Sequence, residues 1–318
     1  MSIPHFNKFF LAAWFISGIA SLFFFFKKND FGSYTKWSTY NDLYPENGPA
    51  VYELEKWQKC RSQYSEEELK EAKKLSSDEA GIKEDDPVFT KTIKLGQWII
   101  NNLWECKTGR PPDSIDRLRP LAIWDAAKSN KTPVWCGTYG ALFLFFCTSQ
   151  NITCRYLESI GKTDGHVVDE CYIPELKKWV MVDLTHKIIM AKDSKGNYLN
   201  AVDIKNIYRN GLSNMVWVHY VKKNDSATWT PADSANTEWN LYLGEESILR
   251  YYHLIYLTMA YKNSEKLKRY FLPVAWYEIY TEAPRYNILF FIRSFITLIW
   301  LLMSIFIVLK LFKLKRRA

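Results

Sequence analysis

The 318-residue chain is 48% hydrophobic and 16% aromatic, too aromatic for a disordered chain and too poor in Gly and Pro for a fibrous one. Its net charge of +8 suggests a nucleic-acid partner, but nine of the 42 Lys and Arg lie in residues 1–28 and 287–318, which hold no Asp or Glu; the other 33 face 34 acidic side chains in 29–286. A basic excess confined to two hydrophobic ends is the pattern of membrane flanks and argues against DNA or RNA binding.

Phe9 to Phe26 is an uncharged, mostly apolar run, about 27 Å long as a helix and just enough for a bilayer core. A cleaved signal peptide is the alternative, with Gly18-Ile19-Ala20 as its cleavage site; the apolar run continues past that site, which favours an uncleaved anchor. Ile288 to Leu309 is the second candidate span, broken only by Arg293 near one end. The basic tail after it, through Arg317, is expected to stay in the cytoplasm, so two spans put both termini inside and residues 29–286 outside. Lys27 and Lys28 argue weakly the other way.

Between the ends, residues 29–60 read as an irregular lead-in, and Ser65 followed by Glu66 to Glu68 as a capping box opening a helix over 66–75. Asp86-Pro87 reads as a second helix start, Asp as N-cap, with Val88, Lys91, Leu95, Trp98, Ile99 and Leu103 on its core face, ended by Gly109-Arg110-Pro111-Pro112. Residues 113–131 read as loop and short helix. Gly137 to Cys147 is apolar nearly all round, which predicts a buried helix with Cys136 in its first turn. Ile152–Ile160, His166–Ile173 and Trp179–Leu184 read as an antiparallel meander with turns at 161–164 and near Pro174-Glu175.

A cysteine at a helix N-terminus sits where free backbone N–H groups and the helix dipole favour an anion, and the same amides can hold the oxyanion of an acyl-transfer intermediate. Cys136 thus occupies a nucleophile's position. A first loop at 161–164 pairs Arg155 with Glu170, opposite charges that support the register, and Cys154 with Cys171. A second loop at 173–176 sets His166 directly opposite Asp183 on one face, where a carboxylate can orient an imidazole. Cys147 reads as core filling. Cys154 and Cys171 read as two buried thiols, with a cross-strand disulfide open in an oxidising space. Six cysteines and five histidines show no CxxC or HExxH spacing, and there is no P-loop or GxGxxG, so neither metal nor cofactor is expected.

The segment resembles the transglutaminase-like superfamily of papain-fold cysteine enzymes. The resemblance rests on Cys136 with Ala141 and Leu142, then Asn151-Ile152-Thr153-Cys154-Arg155-Tyr156-Leu157, then Gly165-His166-Val167-Val168-Asp169-Glu170, then Trp179-Val180-Met181-Val182-Asp183-Leu184-Thr185, and covers about residues 86–188. It implies Cys136 as nucleophile, His166 as general base and acid, and Asp183 as orienter. The departures are Gly137 rather than Trp after the cysteine, with Trp135 before it, and Val167-Val168 after the histidine; Trp135 and Gly137 are the candidates for the substrate and oxyanion side.

The fold expected is α+β, a papain-like core with its buried catalytic helix packed on an antiparallel sheet, flanked by two transmembrane helices. Its parts are an anchor at 1–28, a lead-in at 29–85, a catalytic core at 86–188, an aromatic-rich extension at 189–286 and a membrane helix with basic tail at 287–318. In the extension, 201–209 and 244–262 read as helices, and Trp217, Tyr220, Trp229, Trp239 and Tyr242 as aromatics that pack a satellite or form a glycan or peptide platform. The function expected is acyl transfer, chiefly hydrolysis of peptide or amide bonds, on a protein, peptide or cell-wall substrate at the envelope, with the membrane lipid as the other partner. The competing reading is a non-catalytic module holding a peptide or glycan in the same cleft. The sequence leaves the oligomeric state open.

Overall fold

The computed structural model describes residues 8–26, 38–40, 64–112, 115, 118–160, 165–223, 225–235, 237–244, 247–252, 278–281 and 285–315. Helices and strands follow in the order α1 (Lys8–Phe26), β1 (Ser38–Tyr40), α2 (Glu66–Ala80), α3 (Val88–Asn102), α4 (Pro120–Lys128) and α5 (Cys136–Ser149). Then come β2 (Cys154–Ile160), β3 (Gly165–Ile173), β4 (Lys178–Val182), β5 (Ile188–Asp193), α6 (Ala201–Arg209), β6 (Val216–Tyr220) and β7 (Thr228–Pro231). Last are α7 (Trp239–Tyr242), β8 (Ile248–Tyr252), β9 (Glu278–Thr281), β10 (Arg285–Asn287) and α8 (Ile288–Lys315). The chain divides into two compact units, one of residues 1–42, 266–275 and 283–318, the other of 43–265 and 276–282.

In the first unit α1 and α8 pack antiparallel. Phe10 meets Phe306 edge-on at 5.5 Å, Trp14 Nε1 donates to Ser304 Oγ at 2.8 Å, and Thr297 Oγ1 donates to Ser21 Oγ at 3.3 Å. Small residues let the helices approach: a Cβ on Gly18 would stand 2.7 Å from Trp300 Nε1. Phe15, Ile16, Phe295, Leu302 and Phe306 are exposed around the pair. Among the described residues one stretch, Ser294–Lys313, is long and apolar enough to cross a membrane; the corresponding part of α1, Lys8–Phe23, is shorter. The expectation of two spanning helices is therefore corrected to one, on length. The side chain of Arg293 lies outside the description, as do most of residues 29–60.

The second unit is α+β in three layers. Its main sheet is antiparallel in the order β4-β3-β2-β8-β9, and β5-β6-β7 form a second sheet. One face of the main sheet carries α5, walled in by α2, α3 and α4, and every α5 residue after Cys136 is buried. That burial is why a helix apolar on every face is stable here, at roughly 1.5–3 kcal/mol for each of Phe143, Phe145 and Phe146. Trp98, Trp124 and Phe146 interlock with ring centroids 4.5–5.2 Å apart. Gly140 sets the helix-to-sheet distance, since a Cβ there would meet Val167 Cγ1 at 2.8 Å. On the other face Leu157, Val168, Trp179 and Met181 pack with Ile188, Ala191, Ile204, Val216, Val218 and Trp239.

Local signals account for the element boundaries. Ser65 and Glu68 form the expected capping box, though the helix runs on to Ala80 and stops at Gly81 with φ 65°. The next helix caps one residue later than expected, at Pro87, because Asp86 instead accepts from the Lys83 N–H and pairs with Lys94. The first hairpin has the expected register, with Arg155 opposite Glu170 and Cys154 opposite Cys171; its loop, 161–164, is outside the description. The second hairpin is slipped by two residues from the expected register: Ile173 pairs with Lys178, and a 3₁₀ turn over Pro174–Leu176 closes the loop. An even slip keeps every side chain on its face, so His166 and Asp183 still share one, diagonally rather than directly opposed. The meander is extended by β8 and β9, which corrects the helix expected from Gly244: Ile248–Tyr252 is a strand paired with β2, and residues 253–277 are outside the description. The Tyr and Leu pattern that fitted a helical stripe also fits a strand, here one paired on both sides, with β2 and β9.

Candidate active site

Cys136 is the first residue of α5 and half-exposed. Its position is fixed from the N-terminal side by pairing of the preceding segment: Val134 N donates to Lys107 O at 2.9 Å and Gly109 N to Val134 O at 3.0 Å. Trp135 caps the helix through its carbonyl, which accepts from Thr138 and Tyr139, and no side chain caps the first turn. The amides of Cys136 and Gly137 thus face outward at the positive helix end. The Trp135 indole lies against Gly137, where a Cβ would stand 3.2 Å from its Nε1, and the Arg110 guanidinium stacks on the indole at 5.3 Å.

His166, the second residue of β3, is 4% exposed. Its Nε2 bonds to Asp183 Oδ2 at 3.0 Å, leaving Nδ1 as the nitrogen free to exchange a proton with a neighbour. Burial, the largest single influence on this ring, favours its neutral form. The charge and hydrogen bond of Asp183, joined by those of the nearby Cys136 side chain, overcome that and push its pKa up to about 10. The three residues singled out by the sequence are therefore neighbours in space, with the imidazole between sulfur and carboxylate.

Asp183 closes β4 and begins a 3₁₀ turn, accepting from the His186 backbone at 3.3 Å. It is fully buried, yet its carboxyl is held well below the usual carboxylate range. Desolvation acts the other way and is outweighed by the charges and hydrogen bonds of His166 and His186. Oδ2 is the common acceptor for His166 Nε2, His186 Nδ1 at 2.7 Å and Trp239 Nε1 at 2.8 Å. Tyr242 lies against the His166 ring with centroids 4.8 Å apart.

His186 and Trp239 escaped the sequence reading. His186 was legible in principle, as the third residue after an Asp that ends a strand. Trp239 entered only among the aromatics of the extension, and its indole N–H reaches Asp183 only once α7 has folded over the sheet. Beside the site, Arg155 and Glu170 form a fully buried ion pair; the guanidinium lies 4.0 Å over the Trp179 ring, and Glu170 Oε1 also accepts from Ala201 N at 2.7 Å.

Among the described residues two groups of donors converge within 4.8 Å, as metal ligands do: His166, Asp183 and His186, and the thiols of Cys147, Cys154 and Cys171. In the first group the donor atoms are engaged with one another by hydrogen bonds. In the second all three thiols are free of disulfides, as the two-thiol reading of Cys154 and Cys171 expected.

No family model matches the chain, and no curated protein matches it by sequence. A solved structure named "putative cysteine protease", from Cytophaga hutchinsonii, is similar over 51% of this chain and 48% of its own, at 18% identity and a TM-score of 0.30. This chain thus spans about half the length of that protein, and a likeness so slight leaves fold and chemistry to rest on the chain's own geometry.

Proposed function

We propose that the second unit is a transglutaminase-like, papain-type cysteine acyl-transfer enzyme with Cys136, His166 and Asp183 as its triad, acting chiefly as a peptidase or amidase. The observation that carries this reading is the placement of one buried imidazole between a half-exposed thiol at a helix start and a carboxylate bonded to its far nitrogen. In the reaction the Cys136 sulfur, as thiolate beside the His166 imidazolium, attacks an amide carbonyl carbon. The oxyanion lies at the outward amides of Cys136 and Gly137. His166 gives its proton to the leaving amine as the C–N bond breaks, leaving a thioester. Water then attacks the thioester and passes a proton to His166, and the carboxylic acid leaves as the thiol re-forms. Asp183 holds the ring throughout and keeps its cationic form favourable.

In this reading α8, with α1 packed along it, anchors the chain in the membrane; the basic residues after Lys310 support a cytoplasmic C-terminus and, across one span, a catalytic unit outside. The test is intact-mass trapping with a panel of peptides and wall fragments, together with iodoacetamide labelling near pH 6. An acyl adduct and selective alkylation at Cys136, both lost in His166→Ala, support the enzyme. Equal, sluggish labelling of all cysteines with no adduct sinks it.

A further inference from the structure

The His166 ring has neighbours from four elements. Asp183, at the end of β4, bonds its Nε2, and the Cys136 side chain adjoins it from the start of α5. The His186 ring, from the turn after β4, stands 4.9 Å away with its plane inclined by 59°. Tyr242, from α7, lies across the face of the imidazole, with centroids 4.8 Å apart and planes inclined by 32°.

The sheet itself fixes where Tyr242 sits. Ser159 is the direct cross-strand partner of His166 in the β2–β3 hairpin, so the two side chains share one face, and both are buried. The Ser159 hydroxyl donates to the carbonyl of Tyr242. The residue beside His166 on the sheet thus grips the backbone of the residue whose ring covers it. On the same short turn the Trp239 indole donates to Asp183 Oδ2 at 2.8 Å, and Leu243 N donates to Trp239 O at 2.6 Å. The chain enters this turn through Glu238 at φ 51°, a left-handed conformation that a glutamate keeps only where its surroundings fix it.

An aromatic face carries partial negative charge and attracts a cation within about 6 Å of its centroid, most strongly where water is excluded. A ring lying flat on the imidazole also hinders its rotation, which keeps Nε2 on Asp183 and Nδ1 for the proton exchanged with sulfur. We infer that Tyr242, set in place by Ser159, is a positioning residue for His166: its phenol face holds the ring in the orientation the triad needs and favours the imidazolium. Tyr242 transfers no proton and acts through His166 alone. The inference rests on the reading of Cys136, His166 and Asp183 as a triad.

The test uses the full chain in detergent with isotope-labelled histidine. The His166 ring signal, identified by its loss in His166→Ala, is followed by NMR against pH, and alkylation of Cys136 by iodoacetamide near pH 6 is timed in parallel. In Tyr242→Leu the His166 ionisation is expected to move to lower pH, by about three- to thirtyfold in the equilibrium constant, the range of a desolvated cation–π contact, and alkylation to slow. Tyr242→Phe keeps the stacked face and with it the wild-type ionisation. Ser159→Ala moves the ionisation the same way by less, and adding it to Tyr242→Leu brings no further shift, because both act through one contact. Should Tyr242→Leu fail to fold, Ser159→Ala set against Tyr242→Phe carries the test. An unchanged ionisation in Tyr242→Leu, or in Ser159→Ala where that variant stands in for it, overturns the role of Tyr242, as does an equal shift in Tyr242→Phe or shifts that simply add. The expected shifts without any acyl adduct at Cys136 leave the contact standing and sink the enzyme instead.

Discussion

His166 Nε2 and Asp183 Oδ2 stand 3.0 Å apart on diagonal positions of the β3–β4 hairpin, both buried. The pair links the charge of the site to the folding of the domain. The imidazole loses water on folding and gains a carboxylate; the carboxylate loses water and gains four nitrogen partners, three on Oδ2 and the His186 backbone N–H on Oδ1.

The first prediction concerns pH and stability. The His166 pKa, pushed up to about 10 in the fold, exceeds the unfolded value of about 6.5. Its protonated form therefore stabilises the fold fully below about pH 6.5, and that stabilisation is lost as pH rises through about 10. Asp183 is lowered, so its contribution is present above about pH 4 and lost as pH falls below it. Thermal melts of the wild type are expected to decline from pH 6.5 to 10. In Asp183→Asn that slope flattens, because the ring returns toward its ordinary range; an unchanged slope rejects the assignment.

The same substitution tests the chemistry. Asp183→Asn removes the anion that favours the imidazolium, and turnover of a trapped-adduct substrate is expected to fall about 10²- to 10⁴-fold with little change in binding. Acyl-adduct formation followed by mass over time measures it.

Trp239 and His186 both bond to the Asp183 carboxylate. Trp239→Phe stays aromatic but deletes the pyrrole half of a buried indole, with its N–H to a buried acceptor, at an expected cost of about 1–3 kcal/mol for the lost hydrogen bond alone by chemical denaturation. His186→Ala is expected to lower turnover about tenfold, well short of the Asp183 effect, since Asp183 then keeps His166 and Trp239 as partners.

The Arg155–Glu170 pair is buried on both sides. Glu170→Ala removes the carboxylate that balances the buried guanidinium and the acceptor of Ala201 N, and is expected to destabilise by about 3–5 kcal/mol. The double change Arg155→Met with Glu170→Leu is expected to recover much of that loss in urea melts.

Gly140→Ala tests the helix-to-sheet distance. Its Cβ meets Val167 Cγ1 at 2.8 Å and Asp169 Oδ2 at 3.2 Å, which forces α5 outward. A loss of about 1–3 kcal/mol is expected, with slower alkylation of Cys136 as the helix start moves away from His166.

How much of this was legible in the sequence varies with the range of the interaction. The buried helix after Cys136 and the β2–β3 register were, because all-round apolarity and two-residue alternation are local patterns. The β3–β4 register was misplaced by two residues, since loop length depends on whether Pro174 opens a 3₁₀ turn, which sequence alone does not decide. The strand β8 was mistaken for helix because what defines it is its partner, β2, almost a hundred residues earlier in the chain.

By itself the sequence determined that an apolar helix begins at a cysteine, that a His and an Asp open and end neighbouring strands, and that the basic charge gathers at hydrophobic ends. These follow from periodicity, composition and turn residues, which act over a few residues. Only the tertiary structure decided that Trp239 and His186 share Asp183 with His166, that three cysteines meet behind α5, and that α1 lies antiparallel along α8. Such contacts join segments whose separation along the chain carries no spacing rule; they exist because burying the two faces of one sheet brings the segments together.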